Sequence, residues 1–180
     1  NEIRVDNGLM PLKSQDELEA AAVWFAQDMA AGNFLSHTDS LGRDPGQRIP
    51  AFGYTGGTYG ENVARGFPTA QSVVNAWMGS TGHRANILRA IFRELGVGYA
   101  EGNNPSRWYW VQDFGTRSNV YPVIIDLDAF TTDTSAVTVH IYGDGWAEDM
   151  RLSNDGVSWT PWEPYASTTA WNLSPGAGTR

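Results

Sequence analysis

The chain has no cysteine among its 180 residues, which excludes disulfides, thiol nucleophiles and cysteine-ligated metal centres together. Any metal would have to be held by histidine, carboxylate or backbone oxygen. Long apolar runs are missing too, since no stretch approaches the roughly 20 residues that a membrane-spanning helix needs. Positive charge is scarce: 12 Lys and Arg stand against 20 Asp and Glu, giving a net charge of -8 and a pI near 4.7. Without a basic stripe for phosphates, nucleic acid is not an expected partner. What remains, 41% hydrophobic and 18% charged, is the composition of a globular chain with one full core and room for a second small one.

Local patterns divide the first half into helices and strands. Ser14 followed by Glu17 predicts a capping box, and Leu18, Ala21, Ala22, Phe25 and Met29 recur at helical spacing to about Ala31. Gly32 and Asn33 supply the stop. "FLSHTDSLGRDPGQRI" then reads as irregular chain carrying His37 and Asp39, and long connections in compact domains usually carry function. The glycine-rich "GYTGGTYGENVARGFPTA" holds Glu61 and Asn62 at its centre. Pro68 and Thr69 introduce a helix over "AQSVVNAWMGS" with Val73, Val74 and Trp77 inward, and "HRANIL" starts another helical turn. His83 falls near that start, where the helix dipole favours a neutral imidazole. "LGVGYAE" and "WYWVQDFG" predict strands. In the second, Trp108, Trp110, Gln112 and Phe114 share one face, while Tyr109, Val111 and Asp113 share the other. Aromatic content on both faces predicts a sheet covered on both sides.

"SHTDS", "GENVA", "VVNAWMGSTGHRANIL", "ELGVGYA" and "YWVQDFG", in this order across residues 1–116, resemble the CAP superfamily: the cysteine-rich secretory, antigen 5 and pathogenesis-related class 1 proteins, also called the SCP domain. The likeness is to its cysteine-free bacterial type. It implies an α+β fold, an α-β-α sandwich around an antiparallel sheet, and an extracellular life. The opening "NEIRVDNG" has neither a basic start nor an apolar core, so any signal segment is expected outside this sequence. The resemblance further implies a central cleft where two histidines and two acids meet and, in several members, bind a divalent ion. Position by position, these match His37, Glu61 and His83. The second acid, three residues after the helix tryptophan in many eukaryotic members, is replaced by Ser80.

Two imidazoles and one carboxylate with an open fourth position suit zinc, at about 2.0–2.2 Å. Hydrolysis would also need a base, for which Asp39 is the substitute to consider. Set beside this, His37 is equally readable as an exposed loop residue, and Glu61 as a turn cap. Asn62 and Asn86 are expected to hold loops, and Gln112 to face the cleft or satisfy a structural bond. Trp77, Trp108 and Trp110 are expected in the core. Ser36 and Ser80 lie near histidines without a nucleophile elbow, and "GTYGEN" lacks the lysine of a phosphate loop.

Residues 117–180 change character to Thr, Ser, Asp, Trp and Pro. "AVTVHIY" predicts a strand with His140 at the surface, "DMRLSNDGVSW" a hairpin turning at Asn154 to Gly156, and "TTAWNL" a further strand. "MRLSNDGVSWTPWEPY" also resembles an immunoglobulin-like repeat of modular bacterial surface proteins, in which another strand follows, so this small β-sandwich-like module reads as truncated. A core so small is expected to dock on the first domain through a shared apolar interface. The combined expectation is a secreted bacterial binding module, placed ahead of an enzyme, with a His/Glu site for a divalent metal, zinc first, and a lipid, glycan or cell-envelope partner. A metal-dependent hydrolase or peptidase is one alternative, and an adhesive segment of a larger surface protein another.

Overall fold

The computed structural model describes residues 1–175. Among these residues the α-helices are α1 (Glu2–Asp6), α2 (Asp16–Gly32), α3 (Pro45–Ala51), α4 (Ala70–Gly79) and α5 (Thr81–Ile87). The first sheet has four strands, β1 (Lys13–Ser14), β2 (Thr58–Arg65), β3 (Glu94–Glu101) and β4 (Trp108–Thr116), in the order β1-β3-β4-β2. Its ladders are antiparallel except for the short parallel pair of β1 with β3.

Both faces of this sheet are covered, giving the α-β-α sandwich. Phe25, Ala26 and Met29 of α2 pack on Val63, Tyr109 and Val111. On the opposite face Val73 and Trp77 of α4 and Ile87 of α5 pack with Phe92 and Phe114. Helix α2 lies directly on β3 because β3 offers glycine there. A Cβ at Gly98 would meet the Ala22 carbonyl oxygen at 2.1 Å, and one at Gly96 would meet the Leu18 carbonyl carbon at the same distance.

Two local expectations are corrected, and one unassigned run takes shape. The cap of α2 is Gln15, whose side chain accepts from the amides of Glu17 at 2.9 Å and Leu18 at 3.0 Å, while Ser14 belongs to β1. The stretch after His37 is not irregular throughout, because Asp44 and Gln47 form a capping box that starts α3, with proline at its first turn. The glycine-rich run around Glu61 becomes β2, an edge strand paired along its whole length with β4.

The strands after Thr116 form separate sheets. β5 (Val123–Ile125), β6 (Ala136–Ile141) and β9 (Thr168–Asn172) make one in the order β5-β6-β9, and β7 (Asp149–Met150) pairs with β8 (Glu163–Pro164). His140 is buried in β6, with Nδ1 3.3 Å from the Thr168 hydroxyl, rather than lying at the surface. The expected tight hairpin is a wider loop closed around Asp155, whose carboxylate accepts from the amides of Val157 and Ser158. Residues 176–180, on which the expectation of a truncated module partly rests, lie outside the described residues.

The junction between these strands and the first sheet carries polar contacts. Among the described residues, every member of the three buried apolar clusters lies between Ile3 and Phe114. Asp128 accepts from Lys13 Nζ at 2.5 Å and from the Ser14 amide at 2.6 Å. The Tyr142 hydroxyl donates to the Pro11 carbonyl, and the Arg93 guanidinium sits 4.5 Å from the Tyr121 ring centre.

Gly98→Ala is expected to lower stability by about 2 kcal/mol or more through overpacking, measured as a shift of the urea midpoint at constant slope. An unchanged midpoint would mean that α2 does not rest on β3 as described.

Candidate functional site

His37 is presented by the connection between α2 and α3. The Ser36 hydroxyl accepts from the Thr38 amide, and Ser40 is tied to Asp28 of α2 through both its amide and its hydroxyl. Asp39 organises the turn: its carboxylate accepts from the amides of Leu41 and Arg43 and from the Arg43 guanidinium. Asp39 is therefore not placed as a spare base beside His37, because its oxygens are committed to the loop and it is buried.

Glu61 projects from β2 toward the α2 and α3 side of the sheet, directly opposite Asp113 on β4. Its Oε1 lies 2.7 Å from His37 Nδ1, and its Oε2 accepts from the Arg48 guanidinium. Exposure splits this pair: the Glu61 side chain is 1% exposed and the His37 side chain 55%. A buried carboxylate thus holds one edge of an imidazole whose body reaches water. The same hydrogen bond raises the His37 pKa above its ordinary value, with burial opposing it.

Sequence reasoning missed Arg48. It is fully buried on α3, its guanidinium 3.6 Å from the Phe25 ring centre, and it also donates to the carbonyls of His37 and Arg43. Asp39 stands 3.9 Å from it on the other side. The capping-box spacing of Asp44 and Gln47 marks the start of the helix that carries Arg48, but not the burial of its side chain.

Asp113 is the second residue not singled out. It is fully buried, and neither carboxyl oxygen has a hydrogen-bond partner among the described residues. Burial first, and then the facing charge of Glu61, pushes its pKa well above the ordinary carboxyl value, with Arg48 pulling the other way. Its face of β4, shared with Tyr109 and Val111, was the available clue.

His83 comes from the other side of the sheet, on α5. The Asn62 side chain donates to its carbonyl at 3.1 Å and to Gln112 Oε1 at 3.2 Å, and Asn86 donates to Asn62 Oδ1 and to the Glu61 carbonyl. These amides fasten α5 to β2 and β4. Burial, followed by the charge of His37, lowers the His83 pKa, so the two imidazoles lie close enough to repel when charged. Ser80 is the hinge between α4 and α5, without a side-chain cap bond. Trp77 is core, its indole nitrogen turned to the Val63 carbonyl.

The structure thus joins His37 to Glu61 and brings His83 within their field, but not as a ligand set. Both Glu61 oxygens are occupied by protein donors, and among the described residues no three His, Cys, Asp or Glu side chains gather as a metal ion requires. As arranged, the expected three ligands do not fit an ion. A groove of about 440 Å³ lies over Val137 and Trp171, and one of about 320 Å³ between Lys13 and Val123.

The α-β-α sandwich defines the class. The sequence profile of the cysteine-rich secretory protein family matches residues 1–114, and the chain belongs to that family. It is 39% identical over 114 residues to the uncharacterized protein YkwD of Bacillus subtilis, a match covering 63% of this chain and 43% of YkwD. The chain therefore spans less than half the length of that relative. Among solved structures it resembles an outer surface protein from Borrelia burgdorferi, with a TM-score of 0.59 and 26% identity over 65% of this chain and 86% of that one. An extracellular protein containing a SCP domain from Bacillus anthracis gives a TM-score of 0.57 and 27% identity, over 64% of this chain and 37% of that one.

Asp113 supplies a prediction. Its pKa is higher folded than unfolded, so its contribution is fully present below the unfolded value and is lost as pH rises through the folded one. Asp113→Asn, which cannot ionise, is expected to melt above wild type at pH 8 by about 2–4 °C, equivalent to about 1 kcal/mol. The gap should close toward pH 4. Thermal melts across that range check it, and a gap independent of pH would contradict it.

Proposed function

We propose that this chain works outside the cell as a binding module and meets its partner at the edge of the sandwich where His37 and His83 come together. The carrying observation is the half-exposed His37 imidazole anchored on a buried, charge-paired carboxylate. Burying ions is costly, so a network of this kind is poorly explained as a stabilising device alone. It is well explained as a means of fixing one ring's direction. Extracellular placement is supported by the Borrelia and Bacillus anthracis relatives, one an outer surface protein and the other extracellular. In addition, no described helix is long and apolar enough to cross a membrane. The partner class is a cell-envelope component, lipid or glycan. A divalent ion, zinc first, would reach this edge through the imidazoles. The strands beyond Thr116 are assigned a supporting, adhesive role from residue 117 onward.

The hydrolase reading keeps one favouring observation. His37 held at Nδ1 by Glu61 has the arrangement in which a carboxylate orients an imidazole for proton transfer.

The test is sedimentation of the chain with isolated bacterial envelope, wild type beside His37→Ala, His83→Ala and the double variant. A loss of binding of about fivefold or more, equivalent to about 1 kcal/mol, is expected in the double variant. Undiminished binding would move the contact to the C-terminal strands and sink the reading.

A further inference from the structure

We infer that Arg48 removes Glu61 from service as a ligand and makes it the residue that positions His37, so that this site offers a partner imidazole rather than carboxylate. The inference deepens the binding reading above and rests on it for the place of contact. It departs from the three-ligand set that the sequence blocks imply.

The geometry is closed on the carboxylate side. Glu61 Oε1 is taken by His37 and Oε2 by Arg48. Arg48 cannot easily withdraw. It has no exposure, the Phe25 ring lies against its guanidinium, and its Nη1 also serves the carbonyls of His37 and Arg43. A guanidinium and a divalent cation compete for one carboxylate edge, and inside a low-dielectric core their mutual repulsion keeps them apart. Nor can another acid substitute. Asp39 is spent on the turn and Asp113 is sealed within the sheet. The carboxylate therefore stands behind the imidazole, as outer partners stand behind the groups they orient. The exposed donors are those of His37 and His83, and Arg48 is a positioning residue.

The experiment uses the full chain and zinc chloride as the probe, read by calorimetry, with long-range ¹H–¹⁵N spectra of the His37 ring as an independent readout. Wild type should bind zinc no more tightly than about 10 μM. Glu61→Gln, whose single carbonyl oxygen can serve only one of the two donors, should stay within about threefold of that affinity. Glu61→Ala should release the ring, seen as loss of a single tautomer. Arg48→Met, which frees Glu61 Oε2, should tighten zinc by about tenfold or more if it folds. If it does not fold, the two Glu61 variants decide alone. Sub-micromolar zinc binding that Glu61→Gln weakens by about tenfold or more would overturn the inference, as would a His37 tautomer unchanged in Glu61→Ala. Failure of envelope binding with these results intact would count against the binding reading only.

Discussion

The buried guanidinium of Arg48 ties together four pieces of chain that are distant in sequence or separately folded. From α3 it reaches the carboxylate of Glu61 on β2, lies on Phe25 of α2, and donates to two carbonyls of the loop that carries His37. Water is excluded from it, so each of these partners is held more tightly than at a surface and each would be left uncompensated without it. Helix α3, only seven residues long, is too short to be stable by itself. Its place is fixed by this cation and by Ile49 packing beside Leu18, Ala21 and Tyr54. The direction of His37 is thus a consequence of how α3 seats on the sandwich.

Legibility in the sequence followed physical causes. Helix α4 could be read because Thr69 caps it and Val73 and Trp77 mark one face. Strand β4 could be read because its alternation survives burial on both sides. Strand β2 could not, since glycine and polar residues occupy an edge strand whose inner positions are Glu61, Asn62, Val63 and Ala64, all buried. The histidines and Glu61 were found through ordered motif blocks, whereas Arg48 and Asp113 were passed over because isolated charges normally lie on the surface. Partnering is a property of the fold and has no local trace.

The C-terminal strands show the same limit. His140 reads as the polar side of an alternating strand, yet Thr168 of β9 covers it. At its contact with the first sheet this part uses Asp128, held with Asp126 and Leu127 in left-handed backbone. Three such residues in succession cost about 1–2 kcal/mol each. Offsetting bonds come from Asp128 to Lys13 and Ser14, from Asp126 to the Thr138 amide, and from the Asn1 side chain to the Leu127 carbonyl. Elsewhere in this part Arg151 lies between Trp159 and Trp162, 4.6 and 4.7 Å from their ring centres. Cation-π stacking there adds to the small set of buried side chains, Ile124, Val137, Val139 and Met150, that the segment has.

Charge accounting explains why an arginine and an ion are alternatives at this site. Asp39, Glu61 and Asp113 crowd one region from which water is excluded, and three anions there would be prohibitive without compensation. The protein resolves this with cations of its own. Arg43 and the loop amides neutralise Asp39, Arg48 neutralises Glu61, and Asp113, left without a donor, is the one driven to keep its proton. An ion entering beside Glu61 would duplicate a charge already supplied. The imidazoles carry no such surplus: His83 is held toward neutrality by burial and by its neighbour, and His37 has only one nitrogen engaged by Glu61. The acids in this site therefore set the position and protonation of the histidines, and the histidines are what the surroundings meet.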